Sequence, residues 1–201
     1  MGIDFSYLLY FHCTQVWDVL QGVIDIAQPH QHPAEICFPD HVLTVPLHTW
    51  GLPEQGIHSD DAELRFALVL YFAEDKAILD YTRRFTKEYY LRSPPPDEKR
   101  KIPVGIIYLT IYQSIPDQAS SDWILFDFGT TGTRMSLLFD ESTSIRDTFK
   151  ELAQKYHSVC AVFNRESRGV VFWLNDHDIP EKIIDDPYIL PEEITTLLGE
   201  W

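Results

Sequence analysis

The sequence predicts an α+β fold: a largely antiparallel sheet with helices on one side, built from about three β-α-β-β units. Three observations predict it. Apolar strand-like runs ending in an aromatic recur at Phe5–Phe11, Leu64–Phe72 and Arg134–Phe139. A stretch of helical period follows each of them. Two further strand-like runs then follow each helical stretch.

In the first unit Thr14 is a plausible helix cap, and Val16, Leu20, Val23, Ile24 and Ala27 fall on one helical face. Ile36–Phe38 and Val42–Val45 come next; they are short and broken by proline, which suits sheet edges. In the second unit Glu74 and Asp75 suit a positive helix N-terminus, and Ile78, Tyr81, Thr82 and Phe85 share a face. Val104–Tyr112 and Trp123–Phe128 follow; apolar residues on both faces of the former predict a central strand. In the third unit Ser144 and Asp147 have capping-box spacing, and Ile145, Thr148, Phe149, Leu152, Ala153 and Tyr156 form a stripe. Val159–Phe163 and Val170–Leu174 then flank the hairpin loop Asn164–Gly169. Near the end, Pro191–Gly199 has proline at its first position, acids in its first turn and a closing glycine, which predicts a short helix. The expected organisation is one domain over residues 1–201, with sub-units 1–60, 61–130 and 131–175 and an acidic tail 176–201.

Charge is the compositional outlier. Sixteen Lys and Arg against thirty-one Asp and Glu leave a formal charge of −15. Such a field repels phosphate backbones and anionic lipid, so nucleic acid is an unlikely partner and a basic protein a suitable one. Seven of the sixteen cations sit together at Arg83, Arg84, Lys87, Arg92, Lys99, Arg100 and Lys101. The three cysteines, Cys13, Cys37 and Cys160, lie in or beside apolar runs and form no disulfide framework, which fits a reducing compartment. No apolar run approaches membrane-spanning length, and Asp4 precedes no signal-peptide pattern; the expected location is cytoplasmic.

Chemical hints are few. The stretch Leu125-Phe126-Asp127-Phe128-Gly129-Thr130-Thr131-Gly132-Thr133-Arg134 resembles the first phosphate loop of the actin, sugar-kinase and chaperone ATPase superfamily. The resemblance covers about ten residues. It implies strand–turn–strand geometry in which backbone N–H groups, Thr130 and Thr131 hold phosphate, with Asp127 near Mg²⁺ and Arg134 beside them. No second phosphate loop follows, and the competing reading is a hairpin turn. Five of the eight histidines lie between His30 and His58; His30, His32, His41 and His48 are candidate metal ligands, though their spacing matches no zinc signature. No nucleophile elbow occurs, and no cofactor is expected.

The function this profile favours is a non-catalytic protein-binding module of the inhibitor or immunity type. Trp50, Tyr89, Tyr90 and Trp201 are candidate anchors, since interface hot spots favour Trp and Tyr. The alternative is a small-ligand, nucleotide or metal site, or an enzyme, in a cleft between repeats.

Overall fold

The computed structural model describes residues 2–29, 33–37, 42–47, 57–58, 63–89, 101–113 and 122–199, with backbone alone at 37, 57–58 and 85–89. The elements in chain order are β1 (Ser6–His12), a 3-10 turn (Cys13–Gln15), α1 (Val16–Asp25), β2 (Ala34–Cys37), β3 (Val42–Val45), β4 (Ile57–His58), β5 (Glu63–Phe72) and α2 (Lys76–Tyr89). There follow β6 (Ile102–Tyr112), β7 (Trp123–Gly129), α3 (Thr133–Glu141), α4 (Thr143–Lys155), β8 (Cys160–Asn164), β9 (Gly169–Leu174), β10 (His177–Ile184) and α5 (Pro191–Leu198). Seven strands form one sheet in the order β10-β9-β8-β1-β7-β6-β5, antiparallel throughout. A second sheet, β3-β2-β4, stands apart from it.

β1 is the central strand, and it is buried on both faces from Ser6 to Phe11. Alternation sends Tyr7, Leu9 and Phe11 one way and Leu8 and Tyr10 the other. The first face meets α1, α2, α3 and α4. Tyr7 stacks on Phe149 at 4.4 Å between ring centroids and meets Phe139 and Phe163, while its hydroxyl donates to the Phe139 carbonyl at 3.1 Å. Ala34, Ile36, Leu43 and Val45 of the small sheet join the same apolar cluster. On the second face Leu8, Tyr10, Leu125, Cys160 and Val162 pack with Ile184 and with Ile194 of α5.

The α+β class and the large antiparallel sheet match expectation; α1 is followed by three short strands, which form the separate sheet, and α2 by two strands of the large one. Four details differ. Arg134–Phe139, read as the opening strand of a third unit, is helical. Met135, Leu138 and Phe139 are buried while Leu137 is 45 % exposed, a period of 3.6 rather than 2. Six residues carry both periods nearly equally well. Helices do not all lie on one side, because α5 covers the opposite face. β6 is an interior strand but not the central one; its outward residues Tyr108, Thr110 and Tyr112 keep polar tips. Finally, the run after Leu174 continues as β10, through a two-residue turn at Asn175 and Asp176 with φ of 48° and 66°.

Caps also shift. His12, not Thr14, caps the first helical turn, accepting from the Thr14 N–H. Ser142, not Ser144, caps α4, its hydroxyl accepting from the Ile145 N–H at 3.1 Å. Asp75 is in the expected place and does more than expected. Its Oδ1 accepts from the Ile78 N–H at 2.8 Å at the start of α2. Its Oδ2 accepts from the Ser142 hydroxyl at 2.7 Å and the Ser144 N–H at 3.1 Å at the start of α4. Burial alone would raise its pKa, but these hydrogen bonds outweigh burial and hold it below the ordinary carboxylate value.

One carboxylate therefore ties two helix N-termini together. Asp75→Ala should lower stability by about 2 kcal/mol, the size of a good cap plus a charge-assisted hydrogen bond. Because the folded pKa is depressed, that contribution is present above the unfolded pKa and lost as pH falls through the folded one. Urea unfolding of both proteins at pH 7 and at pH 3 checks it; the gap should shrink at pH 3.

Candidate binding face on the outer side of the large sheet

The second face of the sheet is unevenly covered. Over β8, β9 and β1 it lies beneath α5 and the segment leading into it, which the Tyr10 hydroxyl grips by donating to the Pro187 carbonyl at 3.4 Å. Over β5 and β6 it presents side chains outward. The register sets Glu63, Arg65 and Ala67 opposite Tyr112, Thr110 and Tyr108. Tyr108 is 54 % exposed. A shallow depression of about 340 Å³ opens here, lined by Arg65, Ala67, Tyr108 and Thr110. Arg65 Nε lies 2.5 Å from Glu63 Oε1, so the pair is locally neutral.

At the border between the covered and open halves sits a polar cluster. Asp127 on β7 is paired with Leu8 on one side and Thr110 on the other, which aims its side chain at this outer face. Ser6 on β1 is paired with Asn164 on β8. Asn164 Nδ2 donates to Ser6 Oγ at 3.3 Å and to the Tyr188 hydroxyl at 3.2 Å. The Tyr188 hydroxyl donates to Asp127 Oδ2 at 3.2 Å. Tyr188 stands on the segment between β10 and α5, where its N–H donates to Asp186 Oδ1 at 2.9 Å. Four chain segments thus converge on one carboxylate.

That carboxylate is under-served. Asp127 as a residue is only partly buried, yet its Oδ1 is sealed from solvent and has no hydrogen-bond partner among the described residues; the same holds for Asn164 Oδ1. Burial pushes the Asp127 pKa up to about 6, against the opposing pull of hydrogen bonds from Ser6 and Tyr188. Burial and the nearby Asp127 charge raise Tyr188 in turn, and Tyr112 is raised by burial first and then by Asp127. Chemically the cluster is a pair of unsatisfied acceptors under a rim of tyrosines, a place short of donors and of positive charge.

The residues singled out from sequence distribute as follows. Asp127 belongs to this cluster. Thr130, Thr131 and Arg134 do not join it. β7 ends at Gly129 and leads through a turn into α3, so the geometry is strand–turn–helix. Thr130 is buried, its N–H donating to the Phe5 carbonyl at 3.2 Å and its hydroxyl 2.7 Å from the Ser136 hydroxyl. Thr131 turns to Met135, and Arg134 lines a hollow between α2 and α3 with Asp80 and Glu141, on the other side of the sheet from the Asp127 carboxylate. His30, His32, His41, His48, Trp50, Tyr90 and Trp201 lie outside the described residues; Tyr89 ends α2, and its side chain lies outside them too. Trp173 is buried and donates to the Ser158 carbonyl at 2.9 Å. His157 is exposed and pairs with Asp176, away from the buried Cys160 thiol, so the two form no dyad. Ser6, Asn164, Tyr108 and Tyr188 were not anticipated. The available signal was Asp127 itself, a charge in the midst of an otherwise apolar strand.

No protein-family model and no curated protein matches the chain. Among solved structures, a chain of the 1.75 Å crystal structure of the toxic C-terminal tip of CdiA from Pseudomonas aeruginosa in complex with immune protein aligns with 90 % of this chain and 99 % of its own. The identity is 8 % and the TM-score 0.39, a likeness that assigns neither fold nor function.

The sign of the Asp127 shift gives a test. A carboxyl with a folded pKa of about 6 and an ordinary value of 3.8 holds its proton more tightly when folded. Stability therefore falls as pH rises from about 4 to about 6, by an amount on the order of 3 kcal/mol. Asp127→Asn removes the titration. At pH 7.5 it should unfold at higher temperature than the parent, and near pH 4 the two should coincide. Thermal unfolding across pH 4 to 8 reads both.

Proposed function

We propose that this chain is a non-catalytic protein-binding module of the inhibitor or immunity type, folded as one α+β domain and acting in the cytoplasm. Its docking surface is the open half of the outer sheet face, and its partner is a basic protein. The observation that supports this best is Tyr108, more than half exposed on a strand whose opposite face, at Val104, Ile107, Leu109 and Ile111, is buried in the main core. A large aromatic is held outward there on a rigid support, beside Arg65 and Thr110. Tyr and Arg on a preorganised surface are what interface hot spots are made of.

Charge supports the partner's sign. The chain carries −15 overall, and within the described residues Arg65 is answered by Glu63 while Asp127 and Tyr188 lie just beyond. Complementary fields speed encounter and weaken with salt. No helix among the described residues is long and apolar enough to cross a membrane. Cys13 and Cys160 are both free, which suits a reducing compartment.

The test is affinity capture from native lysate at ~10 mM and ~1 M salt, where the screening length is roughly 30 Å and 3 Å. A basic protein should be held at low salt and released at high salt. The double variant Arg65→Ala, Tyr108→Ala, checked for unchanged melting temperature, should hold it at least about thirtyfold more weakly, the loss of one hot spot. An empty low-salt capture, or equal retention by the double variant, would sink the reading.

A further inference from the structure

The Asp127 cluster specifies more about the partner than its sign. We infer that the acceptors Asp127 Oδ1 and Asn164 Oδ1, at the border of the open sheet face, receive a guanidinium from an arginine side chain of the bound protein, which enters across Tyr108 and Thr110 and takes over the hydrogen bond that Tyr188 now donates. This rests on the docking face proposed above and deepens it.

The geometry favours a donor-rich cation. Both orphan atoms are acceptors only, and both are sealed from water, so neither can be satisfied by bulk solvent. A hydroxyl could satisfy only one of them and an amide brings no charge; a planar guanidinium offers five N–H groups in a fixed fork together with the positive charge the carboxylate lacks. The fold has already removed these atoms from water, so an incoming donor recovers the missing hydrogen bonds without a fresh desolvation cost on this side.

The route in is also chosen by the surroundings. Thr110, which lines the 340 Å³ depression, is directly opposite Asp127 on the neighbouring strand. The exposed Tyr108 supplies an aromatic ring along that route, to which a cation is attracted. Arg65 would repel one, but Glu63 holds it in an ion pair. The lid is Tyr188. The residue is 42 % exposed, and its hydroxyl is held by two 3.2 Å hydrogen bonds, one to Asp127 and one from Asn164. A charged donor outcompetes a phenol for a carboxylate, because hydrogen bonds with both members ionised are the stronger kind.

Two substitutions should act in opposite directions. The probe is Nα-acetyl-arginine amide, titrated against the intact chain by NMR, with the citrulline and lysine counterparts as controls. The parent should bind the arginine probe weakly but measurably, the lysine probe less well and the citrulline probe not at all. Asp127→Asn should weaken arginine binding by at least about tenfold while melting higher than the parent at pH 7.5, which separates loss of the site from loss of the fold. Tyr188→Phe, lacking the competing hydroxyl, should bind the probe more tightly than the parent. The inference is overturned if the parent does not bind the arginine probe, if citrulline binds equally, if Asp127→Asn binds as the parent does, or if Tyr188→Phe gains nothing. The protein partner supplies the last arm. Capture that survives Asp127→Asn but fails in the Arg65, Tyr108 double variant keeps the docking face and removes the arginine notch. Capture that fails in neither removes both.

Discussion

A strand with no wet face sets the terms for everything around it. β1 is sealed on both sides along its length, so the chain must supply two separate covers for one ribbon of backbone. The aromatic side is covered by α3 and α4, where Phe139 and Phe149 close on Tyr7. The other side receives its cover from the last described helix, through Ile194 and the segment before it. This explains why a segment as acidic as residues 176–199 is folded at all. Some of its carboxylates reach back to the rest of the fold, Asp178 to Lys150 and Glu181 to Arg146, and the apolar residues among them finish the burial of Leu8 and Tyr10. Burying such side chains contributes about 1.5–3 kcal/mol each, ample for a short helix that would be marginal alone.

Much of this was legible in the chain, and the parts that were not share a cause. Runs long enough to show a period, such as Leu64–Phe72 or the stripe from Ile145 to Tyr156, were read correctly because period is a local property. Arg134–Phe139 was misread because six residues contain too few turns to separate the two periods, and the deciding facts lie outside it, in Gly132 before and Ser142 after. Val104–Tyr112 reads as apolar on both faces only if tyrosine counts as apolar; the sheet leaves Tyr108 exposed and packs Tyr112, partly buried, at the margin of the second apolar cluster. β10 was hidden by Pro180, which an edge strand tolerates and which coincides here with a break in register between Asp178 and Lys182. The site was legible only at Asp127. Ser6 and Asn164 are 158 residues apart, and Tyr188 is 61 from Asp127, distances at which no sequence pattern speaks.

Two partly buried charges in this protein show how differently a fold can treat them. Arg146 is paired with Glu181 and lies over the Phe172 ring at 5.1 Å, so its charge is balanced by an anion and by an aromatic quadrupole, although its Nε and Nη2 are sealed from solvent with no hydrogen-bond partner among the described residues. Asp127 has no cation beside it in the described structure; its partners are hydroxyls, and one oxygen is left without any. A sheet that places phenylalanine at positions 126 and 128 could place a third apolar residue between them at lower free energy. A carboxylate there lowers the stability of the fold at neutral pH, as its raised pKa requires.

The position of β1 also bears on how the chain reaches this state. Its two neighbours are β7 and β8, drawn from residues 123–129 and 160–164, so the earliest strand finds no partner until well over half of the chain has been made. Its apolar side chains must wait through that interval with nothing to pair against. Contacts spanning such separations close large loops before they repay the entropy, the kind of topology that slows folding. The natural first event is elsewhere, in the consecutive strands β8, β9 and β10, whose tight connections let them form a template early. β1 would then add to the exposed edge of that template, and the sheet would grow from one end of the finished order toward the other rather than from the start of the sequence.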